Sequence, residues 1–179
     1  MTRHPVIAFI LLLGVQPLWA HPVPDIPVFS TFTMEKVNIE VIIDPRSFSD
    51  DPEGEPYMHF SELERKEEAA KDSIKKQAQA LIDETVSFLF FPSEKVRPTF
   101  SFEFVGLDKS PLVEKTDPVM LIGVAELNIP ESATHYQILA EKTGVLSVIF
   151  RNSIRGEEVN RYNVLFPGES SFELDITQR

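Results

Sequence analysis

The chain has 179 residues, 42% of them hydrophobic and 25% charged, with 14 Pro, 7 Gly and no Cys. That composition belongs to a globular protein; it excludes a collagen, a low-complexity chain, a disulfide-stapled scaffold, a thiolate-bound metal and a thiol nucleophile. Seventeen Lys and Arg against 28 Asp and Glu give a net charge of −11, the wrong sign for a nucleic-acid binder, whose affinity comes largely from Lys and Arg on phosphates.

Residues 1–20 have three parts: a short basic start with Arg3, an apolar run from Val6 to Val15, and a Pro-containing end that closes on Ala20. This is the plan of a secretory signal peptide, and the apolar run is shorter than the ~20 residues a membrane-spanning helix needs. The expectation is a cleaved signal at 1–20, a single domain at 21–179 without a transmembrane segment, and a periplasmic or secreted location. Removal of Arg3 takes the net charge from −11 to −12. An exported chain without cysteines or an Asn-x-Ser/Thr sequon fits a bacterial periplasm at least as well as a eukaryotic secretory route.

Three prolines between His21 and Pro27 favour an extended lead-in. Val28–Met34 and Val37–Ile43 follow. Val37, Ile39, Val41 and Ile43 share one strand face, and the short connection predicts an antiparallel hairpin. After the acidic loop 44–56, Ser61-Glu62-Leu63-Glu64 has the form of a capping box. Ala70, Ile74, Ala78, Leu81, Ile82, Val86 and Leu89 recur at helical spacing, which predicts one long amphipathic helix over about 61–90. It has to end before Pro92 and can give way sooner to an extended Phe88–Phe91.

From Pro98 the pattern is strand after strand. Phe100, Phe102 and Phe104 alternate with polar residues; Val119–Ile129 is a second strand; His135–Ala140 and Val145–Phe150 flank Glu141–Gly144, read as a hairpin turn. Val159–Phe166 and Phe172–Ile176 flank a second such turn at Pro167-Gly168, and Asn152–Gly156 is a further hairpin tip. The predicted fold is mainly β: an antiparallel β-sandwich of about eight strands, with the helix inserted between early strands.

Candidate chemistry begins with His21. Cleavage after Ala20 leaves this histidine first, and its α-amine and imidazole Nδ1 then chelate one ion. A second imidazole, from His59 or His135, completes a histidine-brace arrangement suited to copper. Met58, beside His59, adds a soft thioether. The plainer reading, and the preferred one, takes His59 and His135 as ordinary surface or core histidines.

The acidic residues Asp50, Asp51, Glu53 and Glu55, with Asp44 nearby, offer oxygen ligands to Ca²⁺ but lack the spacing of an EF-hand loop, so a solvated loop is the better account. Arg151, Arg155 and Arg161 form an anion-holding candidate; surface arginines balancing Glu157 and Glu158 explain them more simply. Phe88, Phe90, Phe91, Phe100, Phe102 and Phe104 are read as core in preference to a sugar-stacking platform. No nucleophile elbow, His-Glu-x-x-His pair, P-loop or dinucleotide glycine pattern occurs, so an enzyme is the less favoured class.

The signal peptide, the Ala20-His21-Pro22 start and the β-rich exported domain together resemble the extracytoplasmic N-terminal portion of proteins related to the HupE/UreJ family. Those are bacterial membrane proteins associated with the handling of nickel or related metals. The resemblance implies a metal-linked role with His21 as a ligand, copper or nickel being the metal. No membrane-spanning segment follows Ile176, so a transport role would need a separate membrane partner. The sequence reading therefore expects an exported binding or accessory module that contacts an envelope or membrane protein, with copper binding as the alternative.

Overall fold

The computed structural model describes residues 25–92, 94–159, 161 and 163–177. β1 (Ile26–Phe32) and β2 (Lys36–Ile43) form the expected hairpin, with Val28 opposite Val41 and Phe32 opposite Val37. Their alternation decides which face is buried: Ile26, Val28, Ser30 and Phe32 turn inward with Val37, Ile39, Val41 and Ile43.

Two sheets carry that pattern through the chain. In the seven-stranded sheet, β1 and β2 lie beside β5 (Ser101–Val105), β6 (Met120–Asn128), β8 (Val148–Ile154), β9 (Glu157–Glu158) and β10 (Asn163–Leu165), in the order β10-β8-β1-β2-β6-β5 with β9 paired to β8. The four-stranded sheet has the order β11-β7-β3-β4, from β3 (Val86–Phe91), β4 (Glu94–Val96), β7 (His135–Ala140) and β11 (Leu174–Asp175). Their inner faces share one apolar core, a mainly-β sandwich as expected. The described strands number eleven instead of about eight, because β3 takes the end of the expected helix and the short β4 and β9 are added. The larger sheet is mixed: β1 pairs with β8 in parallel.

One long helix forms as expected, but its bounds of 61–90 are corrected. α1 (Phe60–Glu64) and α2 (Glu68–Thr85) are separate, and Val86–Phe91 is strand β3. The capping box does not form. His59 is the cap of α1, Ser61 lies inside it, and the break falls at Glu67, whose extended backbone (ψ 156°) starts α2. The apolar spacing runs through both elements, but Val86, Phe88 and Phe90 are better placed on a half-buried strand, where all three turn into the core. α2 buries Ile74, Ala78 and Ile82 in that core. Its Gln79 accepts the Phe100 N–H at 2.9 Å and donates to the Pro98 carbonyl at 3.1 Å, fixing the lead into β5.

Two of the predicted hairpins are corrected as well. β7 and β8 belong to different sheets, as do β10 and β11, so Glu141–Gly144 and Pro167-Gly168 turn the chain across the sandwich. Turn residues and alternation report where a strand stops; they carry no information on which sheet receives the next one. The hairpin at Asn152–Gly156 does form. Arg155 (φ 53°) and Gly156 (φ 81°) both take the left-handed conformation that a two-residue turn between β8 and β9 requires.

These connections give the sandwich two unlike ends. The β1–β2 turn and the Arg155-Gly156 turn lie at one, the hairpin end. The start of β1, the end of β2 and the start of β6 lie at the other, the loop end, because Ile26 pairs beside Val148 and Ile43 beside Leu121. No helix among the described residues is long and apolar enough to cross a membrane.

Candidate functional site

At the loop end β2 runs out at Ile43, and the backbone groups that follow need new partners. Asp44 supplies one: its carboxylate accepts the Arg46 N–H at 3.0 Å and caps the 3₁₀ turn Pro45–Phe48. The Arg46 side chain folds back on the same carboxylate, donating from Nε at 2.8 Å and Nη2 at 2.6 Å. Both side chains are over nine-tenths buried, and the hydrogen bond to Asp44, against the cost of burial, raises the guanidinium above its ordinary range. The Tyr57 ring lies over the guanidinium, its centroid 3.7 Å from Cζ. A buried ion pair contributes little net stability, but removing one partner strands the other charge. The Asp44–Arg46 clamp therefore fixes the position of this loop.

Around the clamp lie two adjoining clefts of about 350 and 260 Å³. The larger has apolar walls from Pro45, Phe48, Tyr57 and Met58, with Glu55 and Glu62 among its lining residues. The smaller shares Arg46, Glu55 and Tyr57 and adds Glu53. Backbone bonds tie the wall in place: Val119 N–H to Met58 O at 2.8 Å, Phe60 N–H to Asp117 O at 2.9 Å and Ser61 N–H to Lys115 O at 3.0 Å. Asp117 in turn accepts the N–H groups of Val113 and Glu114, which hold its carboxyl below the usual range.

His59 stands beside this cleft and His135 does not. His59 bridges Pro118, just ahead of β6, at the loop end. His135 opens β7 opposite Phe91, and the adjacent Tyr136 packs on Phe32 at the hairpin end. The nine residues of β6 separate the two ends by roughly 30 Å, so His59 and His135 do not meet. His59 Nδ1 lies 2.8 Å from the Thr116 carbonyl; the ring donates there, which leaves Nε2 as the nitrogen carrying a lone pair. His135 Nδ1 lies 3.0 Å from the Thr134 hydroxyl. His21 lies outside the described residues. No group of three or more His, Cys, Asp or Glu among the described residues is placed to hold a metal ion, the acidic loop 50–55 included; there the Asp51 carboxylate accepts the Gly54 N–H, and the Asp51 N–H donates to the Ser49 hydroxyl oxygen.

The three arginines diverge. Arg151 lies on the outer face of the large sheet, 3.2 Å from Glu158. Arg155 takes the turn, and Arg161 covers the Phe172 ring at 4.8 Å. Next to Arg151, Lys109 pairs with Glu40 over the Phe29 ring, so the groove on this face holds cations already matched to acids. Of the phenylalanines, Phe88, Phe90, Phe100 and Phe102 are buried, while Phe91 and Phe104 are half-buried. Sequence reasoning missed Arg46 and Tyr57. The legible signal was Asp44-Pro45-Arg46 at a strand end, an acid poised to cap a turn that starts with proline.

No known protein-family model matches the chain, and no match to it was found among curated proteins.

Proposed function

We propose that this chain is an exported binding module that acts through protein–protein contacts in the cell envelope, with the loop-end cleft as its contact site. The observation that carries the reading is the cleft itself. It is open, walled by aromatic, methionine and proline side chains, rimmed by acids, and held by a clamp whose own charges cancel. Partner recognition favours such a surface: a preformed apolar recess with a polar margin. A photoreactive amino acid at Glu53, on the cleft margin, gives one discrete cross-linked species in exporting cells; the same probe at Met34, on the hairpin end, does not. Identical patterns from the two positions, or none from Glu53, would overturn the reading.

A second reading, a copper or nickel site built on His21, is favoured by two observations. β1 starts at the loop end, and the five Cα-to-Cα steps from His21 to Ile26 reach at most roughly 17 Å, which suits His59 and not His135. A carbonyl-anchored Nδ1, as in His59, is also the usual support for a metal-binding imidazole. Tight one-to-one Cu(II) uptake by protein starting at His21, lost in His59→Ala and retained in His135→Ala, is the expected result. Equal uptake by all three proteins would remove it.

A further inference from the structure

The chemistry of the cleft also identifies its occupant, on the reading that the cleft is a docking site. Three charged residues line it, Arg46, Glu55 and Glu62, and Arg46 is already neutralised by Asp44, both of whose carboxylate oxygens it occupies. Two remain. Neither Glu55 nor Glu62 forms an ion pair among the described residues, and the one side-chain bond to Glu55 comes from the Ser49 hydroxyl at 3.4 Å. Glu53 adds a third carboxylate on the adjoining cleft. An apolar slot of about 350 Å³ with unmatched carboxylates is complementary to one kind of protein side chain: a long aliphatic stem that ends in a cation. An acidic partner would be repelled, and a purely apolar one would desolvate Glu55 and Glu62 without compensation.

We infer that the loop-end cleft receives a lysine or arginine side chain from an extended basic segment of a partner protein. The stem lies along Phe48 and Met58, and the cation sits between Glu55 and Glu62. The charge of the whole chain, −11, draws such a segment in and speeds encounter at low salt.

Four pools of acetylated, amidated pentapeptides test this, with randomised flanks and a fixed central Lys, Arg, norleucine or Glu, titrated into the purified exported protein. The Lys and Arg pools bind at least tenfold tighter than norleucine, the Glu pool binds weakest, and the preference shrinks as salt rises from 50 to 500 mM. In the E55Q/E62Q double variant, which leaves the clamp and the apolar walls intact, the Lys and norleucine pools become equal. Equal binding of Lys and norleucine pools by the native protein, or an unchanged preference in E55Q/E62Q, would overturn the inference. A Glu53 cross-link that persists at full yield in E55Q/E62Q leaves the docking site standing and removes only the basic occupant. Loss of the native cross-link altogether removes both.

Discussion

Tyr136 is the largest fully buried side chain among the described residues, and its phenol hydrogen-bonds the Ser30 hydroxyl at 2.8 Å across the two sheets. Phe32, Phe88 and Phe90 surround the ring, with Phe32 edge-on at a centroid distance of 4.9 Å. Burial raises the phenol well above its ordinary value near 10, and the Ser30 bond offsets this only in part. The folded state therefore holds this proton more tightly than the unfolded chain. Its contribution to stability is complete below about pH 10 and is lost as pH rises beyond. In an alkaline titration followed at 295 nm, the Tyr136 phenolate signal appears together with the loss of far-UV circular dichroism, and Tyr136→Phe abolishes that component. Tyr136→Phe or Ser30→Ala alone leaves a buried hydroxyl unpaired and costs about 1–2 kcal/mol. The double variant costs clearly less than the two together, as urea denaturation would show; strict additivity would mean that the bond is not formed.

At the scale of the element, α2 starts without help. Glu67 has the extended backbone of a cap residue, yet its side chain makes no capping bond. Aspartate is among the best caps and keeps the charge that favours this end of the helix dipole. Glu67→Asp is expected to add about 0.5–1 kcal/mol and raise Tm by about 1–4 °C, whereas Glu67→Ala gains nothing; a fall in Tm for Glu67→Asp would show that Glu67 supports the break by another route. The same break shows how far elements were legible. The β1–β2 hairpin was readable because alternation and a short turn act on neighbours in sequence. The Ser61 capping box misled because the α1 backbone is tied to Lys115 and Asp117, long-range bonds that local spacing does not encode. The two chain crossings were misread for a related reason, since sheet membership is settled by the whole inner surface and not by turn residues. In the cleft and beside it, Glu55, Met58 and His59 stood out in sequence. The Arg46–Tyr57 stack did not, because it joins residues eleven positions apart through a loop of no regular period.

At the scale of the molecule, β1 is the strand on which the large sheet depends. It pairs with β2 on one side and with β8 on the other, and the parallel β8 pairing brings the C-terminal third of the chain against the N-terminal hairpin. Ile26, Val28 and Phe32 are each at most 1% exposed. At about 1.5–3 kcal/mol for each such side chain, their loss would remove roughly 5–9 kcal/mol, comparable to the 5–15 kcal/mol that stabilises a typical domain. Just ahead of β1, Asp25 accepts a hydrogen bond from the Ser147 hydroxyl, which ties the start of β1 to the lead into β8. A chain that begins at Asp25 keeps all of β1 and is expected to melt in one cooperative transition, and one that begins at Thr33 to show none. The Asp25 form also separates the two functional readings, because it keeps every residue of the loop-end cleft and lacks His21. Retained preference for Lys-containing peptides with loss of tight copper uptake would mean that two independent sites share one end of the sandwich. Loss of peptide binding in a fully folded Asp25 form would show that residues before β1 complete the cleft.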